Sequence, residues 1–451
     1  MNLCVCRKMK ALQLMRRISI PDFTFCKTKI LTRFLSSSDS IKEWTQPFDP
    51  PVPEFDWQYL CNDKNQKEIK ENIINRKGIG DIEKVISLWK LYQKETNVAL
   101  KGSLLQQLNE AASALPNRTS PASPIGSEDV AECKGLYGAR RDFTFKPQSV
   151  LEIGQRLNLL RISDVGHTTG PRTYYLMSDF AKLEQALIRY TLDHLLLRGF
   201  SLVSVPDLLN SNVVEACGFK TTGDRNQVYK VDSHHHDNLC LAGTSEISLA
   251  GLFMNELCKN LPKRVCAVSR CYRAEVSATE EEQGIYRVHQ FTKVEMFGVT
   301  KKGQGDDLLQ EFLETEKQLF LNLGLHFRVL EMPTHELGAP AYRKFDIETW
   351  MPSKQFWGEI SSASNCTDYQ SRRLNIKYRD PNKEGPVHVE TVNGTACAVP
   401  RLIMAIIENY QQEDGSVAVP EALQPYMSGQ TCLQRSPIKG KMKFVQGKFS
   451  R

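Results

Sequence analysis

Short segments rich in β-branched and aromatic residues, separated by turn residues, dominate the chain after residue 199. The stretches between them favour hairpin-like turns over regular crossover helices, which is typical of antiparallel pairing. The pattern therefore predicts an α+β fold, with a mostly antiparallel sheet and helices packed on it. The clearest predicted strands are Phe200–Val205, Val265–Val268, Lys293–Val299, Phe327–Leu330 and Phe345–Trp350.

Helical periodicity marks several segments that surround these strands. Apolar residues at three- and four-residue steps predict a long helix over 179–198 and further helices over 306–322 and 401–412. We expect Ser178 to cap the first of these helices and Gly199 to end it.

The N-terminal part of the chain predicts a smaller helical unit at 39–117. This unit is predicted to be a hairpin of two helices of modest length. The second of them spans 103–114 and is closed by Leu115-Pro116-Asn117. A linker rich in Pro and Gly is expected at 118–150, before a larger domain at 151–430. The first helix shows one apolar stripe, formed by Ile82, Val85, Ile86, Trp89 and Tyr92.

Residues 1–38 have a composition of their own. They carry eight basic residues against a single acid, Asp22, with Ser36-Ser37-Ser38 at their end. This pattern is typical of a mitochondrial transit segment cleaved between Leu35 and Ser36, and a disordered basic tail is the alternative. Without this segment the totals of 58 basic and 52 acidic residues become nearly equal, so the net charge of +6 does not by itself indicate nucleic-acid binding.

Two further features bound the interpretation. The 13 cysteines contain no CxxC pair and no spacing that closes a metal site, so we expect free, mostly buried thiols. Residues 431–451 are basic and have no acid after Ser436. They predict a disordered tail, with contact to RNA phosphates as the alternative.

A polar strand face is expected between residues 287 and 295. Residues two apart share one face of a strand. Such a face is costly to bury as a core, but it suits a phosphate, a flat base and an amine. A solvated strand with this order by chance is the alternative. The residues of the face are Arg287, His289, Phe291, Lys293 and Glu295.

Here the sequence resembles a known family. Cys271–Glu275 and Arg287–Phe291 resemble motif 2 of the class II aminoacyl-tRNA synthetases, in its seryl form. The resemblance covers about 150–430 densely and 56–150 loosely. It implies the class II antiparallel β-sheet flanked by helices, preceded by a short helical hairpin. The other matches, in chain order, are motif 1 at Gly199–Pro206, the TxE element at Thr244-Ser245-Glu246, the signature strand at Gly358–Cys366 and motif 3 at Asn393–Arg401.

The resemblance implies a site for ATP phosphates. Arg273 would reach the α-phosphate and the amino acid's carboxylate, Arg401 would clamp the far phosphates, and Arg287 belongs to the same ATP-binding set. Glu359 and Ser362 offer hard oxygen ligands for a bridging Mg²⁺, and sheet-surface residues without a metal are the alternative. Arg273, Arg401 and Glu359 are the catalytic residues that this implies.

Adenine and serine sites are implied beside the phosphate site. Phe291 and Arg401 would sandwich the adenine, and Glu275 would accept from its amino group. For serine, Glu295 and Thr244 fit the ammonium and backbone end, while Glu246 and Thr395 fit the hydroxyl. The full serine-binding set is Thr244, Glu246, Arg273, Glu295, Asn393 and Thr395.

The implied function is activation of serine with ATP and its transfer to mitochondrial tRNA(Ser) in the mitochondrial matrix. A dimer through motif 1 is expected, either with a second copy or with a paralogue. A catalytically inactive, synthetase-like RNA-binding or regulatory paralogue is one alternative, and a class II synthetase of another specificity is a second. The inactive-paralogue alternative is disfavoured because all the arginines and carboxylates named above are present.

Two departures from the family pattern remain. The clearer hairpin helix, at about 15 residues, spans only about 22 Å, which is much shorter than the family's tRNA-gripping arm. Abbreviated mitochondrial serine tRNAs are compatible with such an arm. Glu390 stands where the family usually has His.

Overall fold

The computed structural model describes residues 50–162, 166–223, 226–232, 234, 238–275 and 284–438. The predicted transit segment with its cleavage site and the last residues of the basic tail lie outside this part of the chain. No helix within it is long and apolar enough to cross a lipid bilayer.

An eight-stranded sheet forms the centre of the fold. The described strands are β1 Glu132–Tyr137, β2 Leu160–Arg161, β3 Tyr175–Leu176, β4 Ser201–Val203, β5 Leu208–Asn210, β6 Leu239–Leu241, β7 Leu257–Cys258, β8 Lys263–Tyr272, β9 Gln290–Thr300, β10 Phe327–Glu331, β11 Arg343–Met351, β12 Phe356–Thr367, β13 Lys377–Arg379, β14 Pro386–His388 and β15 Glu390–Ala398. The main sheet has the order β1-β10-β11-β12-β15-β9-β8-β4. Every pair in it is antiparallel except β4 with β8, which confirms the predicted α+β class.

Helices precede the main sheet and pack on it. The described α-helices are α1 Trp57–Leu60, α2 Gln66–Asn75, α3 Ile82–Lys94, α4 Val98–Ser113, α5 Val150–Arg156, α6 Gly166–Thr169, α7 Asp179–Leu197, α8 Ser211–Ala216, α9 Ser245–Leu252, α10 Gly305–Asn322, α11 Tyr369–Leu374 and α12 Val399–Asn409.

The sheet separates two apolar layers, as the alternation along β9 shows. Val294 and Met296 join the larger cluster, which contains residues of α7, α10 and α12. Phe297 and Val299 join a second cluster with residues of α8 and α9. Successive side chains of a strand point to opposite faces of the sheet, so the two faces of β9 pack against two different apolar layers.

The five predicted strands correspond to β4, β8, β9, β10 and β11. The structure adds β1, which lies within the predicted linker 118–150 and pairs with β10 at the edge of the main sheet. It also shows residues 431–436 attached to the body, since Ser436 N donates to Leu157 O at 3.0 Å.

The long helix α7 matches the predicted range, but its predicted N-cap is wrong. Ser178 has φ 48° and makes no side-chain cap bond. Its hydroxyl instead lies 2.7 Å from the hydroxyl of Ser436. Gly199 follows the helix end with φ 82°, a conformation that glycine adopts without strain.

The N-terminal helical region, residues 50–117, forms a small core of its own from α2, α3 and α4. Helix α4 begins at Val98, five residues before the predicted start, because the Asn97 side chain caps it by accepting from Ala99 N and Leu100 N. This region docks on the body through Arg76, which is 4% exposed. Its guanidinium donates to Gly338 O at 2.6 Å and to Ala341 O at 3.1 Å.

Candidate active site

A cavity on the α9 side of the main sheet contains every site residue predicted from the sequence. It encloses about 770 Å³ with its open mouth included, a size that suits a nucleotide and a small amino acid. Strands β9, β12 and β15 form its floor. The predicted residues that line this central cavity are Thr244, Glu246, Arg273, Glu275, Arg287, Phe291, Glu295, Glu359, Ser362, Asn393, Thr395 and Arg401.

Thr244 and Glu246 are placed by the start of α9. Thr244 is the N-cap, and its hydroxyl accepts from Glu246 N at 3.3 Å. Glu246 lies in the first turn, where the helix dipole favours a negative charge. The capping residue thus fixes the backbone that carries the carboxylate into the cavity.

Lys293 and Glu295 project from β9 into the deepest part of the cavity and form an ion pair. Lys293 Nζ also donates to Thr244 Oγ1 at 2.7 Å, and Thr395 Oγ1 donates to Glu295 Oε2 at 3.3 Å. Burying these charges is tolerable because each finds an opposite charge and a hydroxyl. The sequence placed Lys293 on this face but assigned it no role.

Glu246 belongs to the same cluster, yet it forms no ion pair with any described residue. Gln370 Nε2 donates to Glu246 Oε1 at 2.6 Å. Burial, followed by the nearby charge of Glu295, raises the pKa of Glu246 to about 7. A cation that entered the cavity beside Glu246 would favour its ionised form.

Arg273 follows β8 and leans across the cavity. Its Nε donates to Gly243 O at 3.1 Å, and its guanidinium carbon lies 5.4 Å from the centroid of the Phe291 ring. Glu275, which is buried, pairs with Arg287 at 3.6 Å. A half-buried guanidinium beside an aromatic face suits an anion attached to a flat base.

His289 does not share the predicted polar face. Strand β9 begins at Gln290, so Arg287 and His289 precede it, and only Phe291, Lys293 and Glu295 alternate on the cavity face. His289 Nδ1 instead lies 2.7 Å from the hydroxyl of Tyr229. The prediction extended the strand three residues too far because the alternation of residue types continues into the turn.

Glu359 and Arg401 face each other at the other end of the cavity. Arg401 Nη1 donates to Glu359 Oε2 at 3.0 Å, and its guanidinium carbon lies 4.3 Å from the centroid of the Tyr286 ring. Burial alone would raise the pKa of Glu359, but the charges of Arg401 and then Lys344 outweigh it and lower this pKa to about 2. Glu359 is therefore a carboxylate throughout the physiological pH range.

The donor chemistry at this end fits a hard cation. Glu359 supplies an ionised carboxylate, and Ser362, which lines the same cavity, supplies a hydroxyl. Within the described ranges no cluster of three or more His, Cys, Asp or Glu side chains could hold a metal by itself. A Mg²⁺ here would need further oxygens from a bound phosphate, as is usual for that ion.

Two functional candidates escaped the sequence. Tyr286 accepts from Glu359 N at 2.8 Å through its hydroxyl, and its ring lies under Arg401. Gln370 belongs to α11, more than 100 positions from Glu246. No periodicity or motif could have connected residues so far apart in the chain.

Glu390, the departure noted in the sequence, has a structural role outside the cavity. Its Oε2 accepts from Gly305 N at 2.8 Å, at the first residue of α10. A carboxylate at a helix N-terminus satisfies an orphan donor and interacts favourably with the helix dipole. This departure therefore leaves the central cavity intact.

The antiparallel sheet and its cavity define the class of this chain as a class II aminoacyl-tRNA synthetase core. Residues 229–410 match the family described as tRNA synthetase class II core domain (G, H, P, S and T). The solved seryl-tRNA synthetase of Pyrococcus horikoshii, complexed with ATP, superposes with a TM-score of 0.74 at 28% identity. That match covers 85% of this chain and 100% of the archaeal one.

The chain belongs to the serine–tRNA ligase family. It is 41% identical over 326 residues to the serine–tRNA ligase of Rubrobacter xylanophilus, covering 71% of this chain and 76% of that protein. It is 48% identical over 341 residues to the mitochondrial serine–tRNA ligase of Mus musculus, which is 75% of this chain. The matches span 64% of the mouse protein and 66% of its Bos taurus counterpart, slightly less than two thirds of each.

Proposed function

We propose that this protein is a mitochondrial serine–tRNA ligase, which activates serine with ATP and transfers it to tRNA(Ser). One observation carries the proposal. Arg273 and Arg401, which suit phosphates, share a single cavity with the buried carboxylates Glu246 and Glu295, which suit an ammonium. The substrates must therefore bring both anionic and cationic groups into the same site, as ATP and an amino acid do.

In the first step, a carboxylate oxygen of serine attacks the α-phosphorus of ATP, and the bond to pyrophosphate breaks. Negative charge grows on the α-phosphate oxygens, where Arg273 stabilises it. Arg401 holds the far phosphates from the start of α12. The products are seryl-adenylate and pyrophosphate, and the cavity contributes mainly by positioning the reactants.

Adenine is placed against Phe291, with Arg401 on its other face and Glu275 accepting from its amino group. The pairing of Glu275 with Arg287 supports this arrangement, because it holds the carboxylate in one orientation. Mg²⁺, held by Glu359 and Ser362 together with phosphate oxygens, would neutralise charge on the leaving group.

Serine lies at the Glu246 and Glu295 end of the cavity, next to Thr244, Asn393 and Thr395. The family resemblance implied that Glu295 meets the ammonium and Glu246 the hydroxyl, but the ion pair of Glu295 with Lys293 favours an exchange of these roles. Glu295 is already paired with Lys293, whereas Glu246 forms no ion pair within the described part of the chain and can take the ammonium of serine. Glu295 and the Thr395 hydroxyl then meet the serine hydroxyl.

In the second step, a hydroxyl of the 3′-terminal ribose of tRNA attacks the carbonyl carbon of the adenylate, and AMP leaves.

The N-terminal helical region offers a short arm for the tRNA. Helices α3 and α4, of 13 and 16 residues, are about 20 and 24 Å long.

Dimerisation through the β4 edge, with a second copy or with a paralogue, is part of the proposal. Several apolar side chains near this edge are exposed, including Leu197 at 86% and Leu202 at 50%. Such a surface is costly to leave in water and is typical of an interface.

The basic N-terminal composition and the names of the mouse, bovine and Saccharomyces cerevisiae relatives support a mitochondrial location, and we propose the matrix.

The decisive test is ATP–pyrophosphate exchange with protein that starts at Ser36, using serine, alanine and threonine in parallel. We expect exchange with serine alone, followed by charging of mitochondrial tRNA(Ser). A folded sample without serine-dependent exchange would overturn the proposal and favour a synthetase-like binding protein.

A further inference from the structure

A chain of three buried side chains runs from the back of the central cavity into the fold. Glu246, Gln370 and Thr391 are 6%, 0% and 0% exposed. Gln370 Nε2 donates to Glu246 Oε1 at 2.6 Å, and Thr391 Oγ1 donates to Gln370 Oε1 at 2.7 Å. Neither Gln370 nor Thr391 lines the cavity, so neither can touch a substrate there.

The order of donors along this chain follows from the ionised form of Glu246. A carboxylate can only accept hydrogen bonds, so the amide nitrogen of Gln370 must face it. The amide oxygen then points towards Thr391, whose hydroxyl must donate. The carboxylate thus selects the orientation of the Gln370 amide, and the hydrogen bond from Thr391 holds the amide in that orientation.

We propose that Gln370, oriented by Thr391, is a positioning residue that presents Glu246 to the ammonium group of the substrate. This inference rests on the proposed function, because it requires an amino acid in the cavity. Gln370 donates a hydrogen bond to Oε1 of Glu246, so Oε2 of the same carboxylate is left to accept from the ligand. Since burying a polar group without a partner is costly, the relay also keeps the ionised carboxylate tolerable inside the protein.

Charge balance explains why such a neutral donor is needed. The groups that face Glu246 are Glu295 and Lys293 on β9, Arg273 after β8, and the thiols of Cys217 and Cys366. Lys293 is paired with Glu295, and the guanidinium of Arg273 lies over the Phe291 ring. Of the neighbours that lower the pKa of Glu246, Lys293 acts most strongly and the hydrogen bond from Gln370 comes next, so Gln370 adds support for a negative Glu246 before the substrate's ammonium arrives.

This arrangement predicts how serine binding depends on pH. Serine binds to the ionised Glu246, so KM for serine should rise as the pH falls through about 7, where this carboxyl gains a proton. Because the Gln370 hydrogen bond favours the ionised form, its loss should move this transition to higher pH.

The test compares Gln370→Met, Thr391→Val and Thr391→Ser in serine-dependent pyrophosphate exchange from pH 6 to pH 9. Gln370→Met should raise KM for serine about 10- to 100-fold and move its pH transition upward by about one unit, with KM for ATP changed by less than about twofold. Thr391→Val, which keeps the shape but removes the hydroxyl, should raise KM for serine about 2- to 10-fold. Thr391→Ser, which keeps the hydroxyl, should behave like the wild type.

The outcomes separate the two proposals. An active wild type with equal KM values and equal pH profiles for the Val and Ser variants would overturn the relay and leave the proposed function standing. A wild type without serine-dependent exchange would overturn both. If Gln370→Met fails to fold, the two Thr391 variants decide the matter alone, since both are close in size to threonine.

Discussion

The central cavity and the N-terminal helical region handle charge in opposite ways. In the cavity, Glu246, Glu295 and Lys293 are buried and each is held by a specific neighbour. In the helical region most charges lie on the surface, as in the pair of Lys70 and Glu83, whose side chains are 45% and 74% exposed. Buried charges are costly to place and therefore well defined, whereas exposed pairs contribute little to stability.

The two regions also differ in what their buried residues contribute, stability in the helical region and binding groups in the cavity. The helical region is stable because of an apolar core with Leu108 and Val85 at its centre, both 0% exposed. The cavity instead keeps groups that a stable core would avoid, since unpaired or pH-sensitive carboxyls reduce stability. Changes in the two regions should therefore affect different measurements.

Arg273→Ala should have the largest effect. Removing the guanidinium should lower serine-dependent pyrophosphate exchange by about 10²- to 10³-fold or more, because the charge on the α-phosphate loses its main partner. Folding should be retained, since Arg273 is only half-buried and its described hydrogen bond is to Gly243 O. Arg270→Ala is the matched control, because Arg270 lies three residues earlier, near the end of β8, with its side chain 47% exposed, and does not line the cavity. Normal exchange by Arg273→Ala would remove Arg273 from the active site.

Leu108→Ala should break the helical region instead. We expect the free energy of unfolding, measured in urea, to fall by about 2–5 kcal/mol because a cavity forms in a small core. At low temperature, where the variant is folded, serine-dependent exchange should match the wild type. Loss of exchange in fully folded protein would show that the two regions are not independent.

Arg76→Met tests the connection between the two regions. Its guanidinium donates to carbonyl oxygens of the body and to Thr119 Oγ1 at 3.1 Å, so its removal leaves buried acceptors without a donor. The expected loss is about 1–3 kcal/mol of unfolding free energy, with faster proteolysis within residues 50–117. Unchanged proteolysis would mean that apolar contacts alone dock the helical region.

Lys70→Met should have the smallest effect. Lys70 Nζ lies 2.6 Å from Glu83 Oε1, but both side chains are exposed, so the change in unfolding free energy should be less than about 0.5 kcal/mol. A thermal melt at low and high salt would check this value. A loss above about 1 kcal/mol would contradict the contrast between surface and buried charge.

Much of the fold could be predicted from residue patterns. The runs at Val265–Val268 and Lys293–Val299 lie inside long strands, and the helix at 179–198 has nearly the predicted bounds. These segments are long and periodic, so local preference and burial agree. Strand β1 was missed because Gly135 and the prolines around it suggested turns, while its pairing with β10 is a tertiary contact.

For the candidate site too, some features could be predicted from the sequence and others depend on tertiary contacts. The residues from Arg273 to Arg401 that the resemblance implied do line one cavity, and their individual roles stay predictions. The ion pair of Lys293 with Glu295 could not be predicted in this way, because neighbours on one strand face can equally well bind a ligand. The position of His289 was wrong because alternation does not show where a strand begins.

By itself, the sequence determined the fold class, the order of the motifs and the residue types available for catalysis. These depend on local periodicity and on chemistry that each residue carries with it. Only the tertiary structure decided that Glu295 forms an ion pair with Lys293, whereas Glu246 accepts a hydrogen bond from the neutral amide of Gln370. It brings Gln370 and Thr391 behind Glu246, and it places Glu390 at the start of α10. Such contacts join distant parts of the chain, and their energies depend on burial, which no local pattern specifies.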